Sequence, residues 1–204
     1  MPYIIAGLGN PGAEYEDTRH NTGRMVLEAV RKEFGGDFEL DKKLNAQVAE
    51  GKIGKEKAIF VAPETFMNNS GKAIGPLVKT KLDKKLKLRT ADGLVVIYDD
   101  FSLPLGRIRI SYNRSSGGHN GLESIIKAVK TEAFTRIRVG TAAENAKGNA
   151  KPINGDAKIE KFILGPFKPD ELKELKKVAK KCAEAVEVIV KEGREKAMTM
   201  FNAG

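Results

Sequence analysis

The 204-residue chain has no tryptophan, one cysteine, two histidines and only 6% aromatic residues. Cys182 has no second cysteine to pair with, so no intrachain disulfide can form, and the single thiol suits a reducing compartment. One cysteine with two histidines argues against a dedicated zinc site. The scarcity of aromatics leaves no stacking platform for sequence-specific recognition of single strands. No apolar run approaches the ~18 residues that a spanning helix requires. The N-terminal MPYIIAGLG has no charged leader and no small-residue cleavage site after an apolar stretch, so no secretory signal is read there, and a cytoplasmic location is expected. Acidic residues are outnumbered, 27 against 36 Lys and Arg, leaving a net charge of +9 that favours polyanionic partners or merely solubility.

At 41% hydrophobic and 31% charged residues, the chain can bury a core without help from disulfides or metal. Residues 3–8 read as a buried strand running into a glycine-rich loop, and a helix starting near Thr22 ends at Gly35-Gly36. Residues 46–53 and 57–62 read as an antiparallel pair turning at Gly54 beside the first strand. Residues 67–82 are helical in pattern, with a break expected at Gly75-Pro76 because an interior proline removes a hydrogen bond. Further strands are expected over 94–98, 107–112 and 134–139, and Leu122, Ile125, Ile126 and Val129 make an amphipathic helix. Residues 142–157 offer almost nothing to bury and read as a mobile loop or lid, whereas 169–192 carry a continuous apolar seam and form a long C-terminal helix. Strands interleaved with helices imply an α/β fold: a single layered domain over 1–204, with a mixed, largely parallel central sheet flanked by helices.

Gly7, Gly9 and Gly12 spell G-x-G-x-x-G after a strand, but Pro11 and a polar run follow where a dinucleotide fold opens a helix. Lys32 occupies the position where the ribose-binding acid is expected, so no dinucleotide cofactor is assigned. His20 lies among polar residues at a helix entrance, away from any apolar face, and is a candidate base. Asp99 and Asp100 directly follow the apolar run LVVIY, and either one can orient the His20 ring or simply be a solvated turn carboxylate. Ser115 and Ser116 lie near His119, yet neither has the flanking glycines of a nucleophile elbow. Asn10, Asn68 and Asn120 stand in loop or helix-start contexts where an amide can serve a carbonyl oxygen, or merely cap a turn.

These pieces together, GLGNPG, TRHNTG, FMNNSG, the aspartate after LVVIY, GGHNGLESI and the terminal KAMTMFN, resemble bacterial-type peptidyl-tRNA hydrolase in content and order along the whole chain. The resemblance implies hydrolysis of the ester between a nascent peptide and tRNA, with no cofactor, metal or membrane and a monomeric protein. It implies His20 as base, Asp99 as its partner, Asn10, Asn68 and Asn120 on the peptide and reacting carbonyl, and Tyr15 and Met67 lining the cleft. His119 is read as a helix-capping ring. Ser111 stands where the family has a basic residue that clamps a tRNA phosphate, which leaves Arg138, Arg114 and Arg109, in that order, as replacements. The lysine-rich side of the last long helix reads as a solvated face or a second RNA contact. A non-catalytic RNA-binding relative acting in RNA processing is the alternative.

Overall fold

The computed structural model describes residues 1–82 and 90–203. Their seven strands are β1 Tyr3–Gly7, β2 Glu39–Asp41, β3 Ala46–Ile53, β4 Glu56–Pro63, β5 Leu94–Pro104, β6 Ile108–Tyr112 and β7 Thr135–Ala142. They make one sheet in the order β2-β3-β4-β1-β5-β7-β6. The central four, β4, β1, β5 and β7, run parallel, and β3, β2 and β6 add antiparallel edges. The helices are α1 Thr22–Phe34, α2 Ser70–Leu77, α3 Asn120–Val129, α4 Asp156–Ile163, α5 Pro169–Glu192 and α6 Arg194–Phe201. No helix among the described residues is long and apolar enough to cross a membrane.

Strand periodicity divides the core in two. Ile5, Phe60, Val95, Ile97, Ile137 and Val139 point to the side covered by α1, α5 and α6, while Ile4, Ala6, Val61, Leu94 and Val96 point to the side covered by α2 and α3. Two glycines let α1 approach β1 closely. A Cβ on Gly7 would meet the Gly23 oxygen at 2.4 Å, and one on Gly23 would meet the Ile97 oxygen at 2.4 Å. The glycine-rich loop therefore serves a tight helix–strand crossing, which presses the start of α1 against the C-terminal ends of the parallel strands.

Three expectations need correction. The helix does not break at Gly75-Pro76: α2 runs through Pro76 to Leu77 and passes into a wider π-type turn over Val78–Leu82. Lys72 and Pro76 both lie on the exposed side of α2, where a carbonyl freed by the proline ring can be served by solvent. Gly71 and Gly75 instead form a contact face. Added Cβ atoms there would meet the Ser124 oxygen at 2.1 Å and the Ala128 Cβ at 3.0 Å, so α2 and α3 pack backbone to backbone. Second, the strand expected to stop at Tyr98 continues to Pro104, because β7 supplies a ladder opposite Asp99 and Asp100. Third, the segment 142–157 holds a turn closed by the Glu144–Ala150 bridge, in which Asn145 Oδ1 accepts from the backbone of Lys147 and Asn149. Its last two residues already belong to α4.

Candidate active site

The loop after β1 is fixed by an amide pair. Asn10 N donates to Asn21 Oδ1 at 2.7 Å and Asn21 Nδ2 returns a bond to the Asn10 oxygen at 2.9 Å, which locks the glycine loop to the single-turn helix Arg19–Asn21. Asn10 Oδ1 accepts from Met67 N at 2.8 Å. That bond identifies Oδ1 as the acceptor and leaves Nδ2 as a donor in the cleft.

His20 is buried in the Arg19–Asn21 turn, with Nδ1 3.0 Å from Asp99 Oδ1. The same oxygen lies 3.1 Å from Nε2 of His119. Burial, the largest influence on Asp99, pushes its carboxyl pKa up, but the charges and hydrogen bonds of His20 and His119 prevail and hold it well below the usual carboxylate range. An ionised Asp99 accepts from both rings. In its neutral form His20 therefore carries its proton on Nδ1 and has its lone pair on Nε2. The opposite tautomer holds at His119, whose Nδ1 accepts from Leu122 N at 3.4 Å at the start of α3. Tyr98 stands edge-on to that ring, 4.9 Å between centroids, and burial pushes its hydroxyl up to about 12, so it stays protonated. The ligand atoms of His20, Asp99 and His119 lie within 4.8 Å of one another, the one such grouping among the described residues. A cation there would replace both imidazole–carboxylate hydrogen bonds.

A cleft of about 1490 Å³ opens over this trio and brings together all ten residues singled out in the sequence: Asn10, Tyr15, His20, Met67, Asn68, Asp99, Arg109, Arg114, Asn120 and Arg138. Tyr15 meets the exposed Phe66 ring edge-on at 6.4 Å on one rim. Asn68 and Asn120 are exposed at the starts of α2 and α3. Asp100 does not touch His20. Its Oδ2 takes the Arg138 Nε at 2.5 Å and its Oδ1 accepts from Ser102, so of the two candidate carboxylates Asp99 alone reaches the imidazoles.

The β6–β7 ribbon is two-faced. Ile108, Ile110, Ile137 and Val139 enter the core, whereas Arg109 lies opposite Arg138 and Ser111 opposite Arg136 on the other face. Arg136 is 1% exposed and bonds only to backbone oxygens, Ser115 at 2.7 Å and Glu132 at 3.3 Å, over the Phe134 ring. It anchors the loop before His119. Burial lowers its pKa without threatening the charge of an arginine. Arg109 and Arg114 are exposed and make no ion pair with any described residue.

Sequence reasoning missed the link from His119 to Asp99, because a ring in a glycine loop before a helix carries the signature of a cap. It also missed Phe66 and Arg136, for which only the apolar and basic surroundings in FMNNSG and FTRIRVG gave any signal.

The sequence matches the peptidyl-tRNA hydrolase family over residues 4–204. It is 42% identical to a peptidyl-tRNA hydrolase of Caldanaerobacter subterraneus subsp. tengcongensis over 201 residues, covering 98% of this chain and 99% of that protein. Against the one from Carboxydothermus hydrogenoformans it is 42% identical over 202 residues, covering 99% of both. The crystal structure of peptidyl-tRNA hydrolase from Acinetobacter baumannii superimposes with a TM-score of 0.85 at 25% identity, over 99% of this chain and 95% of that one. With its whole length matched and its fold shared, the chain belongs to the peptidyl-tRNA hydrolase family.

Proposed function

We propose that this protein hydrolyses the ester joining a peptide to the 3′ end of tRNA, releasing free peptide and free tRNA. The observation that carries the reading is the 3.0 Å bond from His20 Nδ1 to Asp99, which in the neutral ring makes Nε2 the acceptor on the cleft side. Water gives a proton to Nε2 as its oxygen adds to the ester carbonyl carbon. Asp99 holds the ring and stabilises the imidazolium. Negative charge on the former carbonyl oxygen is met by Asn10 Nδ2, and on collapse the imidazolium returns its proton to the departing ribose oxygen. Asn68 and Asn120 read the peptide C=O and N–H, which a free aminoacyl group with its ammonium would leave unpaired. Tyr15 and Met67 wall the scissile end, and Arg114, Arg109 and Arg138 face the tRNA phosphates. Nothing in the site favours the non-catalytic alternative.

Turnover of N-acylated aminoacyl-tRNA tests the reading. His20→Ala is expected to lower kcat by about 10²- to 10⁴-fold while tRNA binding persists. An active His20→Ala protein would remove the ring from its role.

A further inference from the structure

Helix α4 forms a wall of the cleft through Ile159, Glu160 and Ile163, continued by its C-cap Leu164, yet it has no fully buried residue of its own. Apolar burial, confined to the part-buried Ile159, Phe162 and Ile163, holds such a helix weakly. Helix α4 contacts the turn Arg19–Asn21, and the loop after α4 is held there by the Thr18–Pro166 bridge, by Phe167 N donating to the Asp17 oxygen at 2.8 Å, and by the Arg19 side chain. Arg19 is 9% exposed. Its Nη1 donates to the oxygens of Gly165 and Pro166 at 3.2 and 2.9 Å, and its Nη2 to Glu171 at 2.9 Å. The guanidinium carbon lies 4.6 Å from the centre of the Phe162 ring on α4 and 5.2 Å from that of Phe167. The Arg19 backbone N–H also bonds to Gly165.

We propose that Arg19 is a positioning residue: it pins the α4 wall to the turn that carries His20 and so sets how tightly the ester substrate is held. The inference rests on the hydrolase reading above. His20 itself is held by other means, the bond to Asp99 and the Asn10–Asn21 pair. Loosening α4 therefore acts on substrate and transition state alike, which raises KM more than it lowers kcat. Lysine cannot replace the arginine here, because an ammonium has no planar fork to serve two carbonyls and a carboxylate while lying against two rings.

Arg19→Lys, Phe162→Ala and the double variant test the pin, with steady-state kinetics on peptidyl-tRNA and amide hydrogen exchange. Each single variant is expected to raise KM about 5- to 20-fold with a smaller change in kcat, the size of a lost cation–π contact with its hydrogen bonds. The double variant is expected to raise KM no further than the larger single one. Exchange over 156–165 should accelerate while that of α1 stays as in the parent. If Arg19→Lys does not fold, Phe162→Ala carries the test alone. Unchanged exchange in α4, multiplied KM effects, or faster exchange with KM intact would each overturn the pin. Absence of turnover in the parent protein would instead overturn the hydrolase reading, and the exchange experiment would still report on α4.

Discussion

Asp99 Oδ1 receives His20 Nδ1 at 3.0 Å and His119 Nε2 at 3.1 Å, so deleting either ring strips a buried carboxylate of one of its two donors. The two deletions differ in chemistry. Loss of His20 removes the base, whereas loss of His119 leaves a base oriented by a carboxylate short of one hydrogen bond, a deficit of about 1–3 kcal/mol. His119→Ala is thus expected to cost roughly tenfold in kcat, well short of His20→Ala, and to lower the urea midpoint as well. Equal kcat losses would mean that the base has been misassigned. Asp99 also makes a pH prediction. Its folded pKa lies below the unfolded value, so its contribution to stability is fully present above the ordinary carboxylate value near 3.9 and is lost as pH falls below that. Asp99→Asn has no such titration. In urea unfolding the stability gap between parent and Asp99→Asn should narrow as pH falls below about 4. A gap constant down to pH 3 would show that the folded carboxyl titrates normally. His20 and Asp99 were legible as candidates from their flanking residues, and the family resemblance put Asp99 before Asp100; the physical reason is the pleat, since successive side chains on β5 face opposite ways, one toward His20 and the other toward Arg138.

Elements with their own apolar pattern were readable at close to their true bounds. The 46–53 and 57–62 runs became β3 and β4, and the seam from Pro169 became α5, because each buries a periodic stripe. The unread elements lack that stripe. Helix α4 buries no residue fully, β2 has three residues, and the far half of β5 is strand only because β7 lies beside it. Helix α6 closes the sheet's outer edge in a way that no periodicity announces. Asn202, its C-cap, accepts from Ile110 N through Oδ1 at 2.7 Å and donates from Nδ2 to the Ile110 oxygen at 2.9 Å, standing in for a neighbouring strand on β6. Such an edge otherwise invites pairing with another chain. Asn202→Ala is expected to lower stability by about 1–2 kcal/mol in urea unfolding and to increase association at high concentration. A variant as stable and as monodisperse as the parent would show that water replaces the amide without loss.

Across the whole molecule, the net charge of +9 leaves open where a polyanion would lie. On α5, Lys173 and Lys177 are paired with Asp170 and Glu174, as on a solvated face. The cleft is different, because one face of the β6–β7 ribbon brings Arg109, Arg136 and Arg138 together, with Asp100 paired to Arg138. Family resemblance put Arg138 first as the phosphate contact, yet its charge is already matched by Asp100, whereas Arg109 and Arg114 are unpaired among the described residues. Pairing weakens what a guanidinium can give to a second anion, so the free arginines should carry more of the counterion release. Arg109→Ala and Arg114→Ala are expected to flatten the plot of log affinity for tRNA against log salt by about 0.7–0.9 each, and Arg138→Ala by less. KM for peptidyl-tRNA should rise in the same order with kcat nearly constant, and small ester substrates should be unaffected. The largest flattening in Arg138→Ala would mean that Asp100 orients that arginine for the phosphate instead of quenching it. Parent-like slopes in all three would move the contact to Lys176 and Lys180, the exposed lysines of α5 that no carboxylate among the described residues engages.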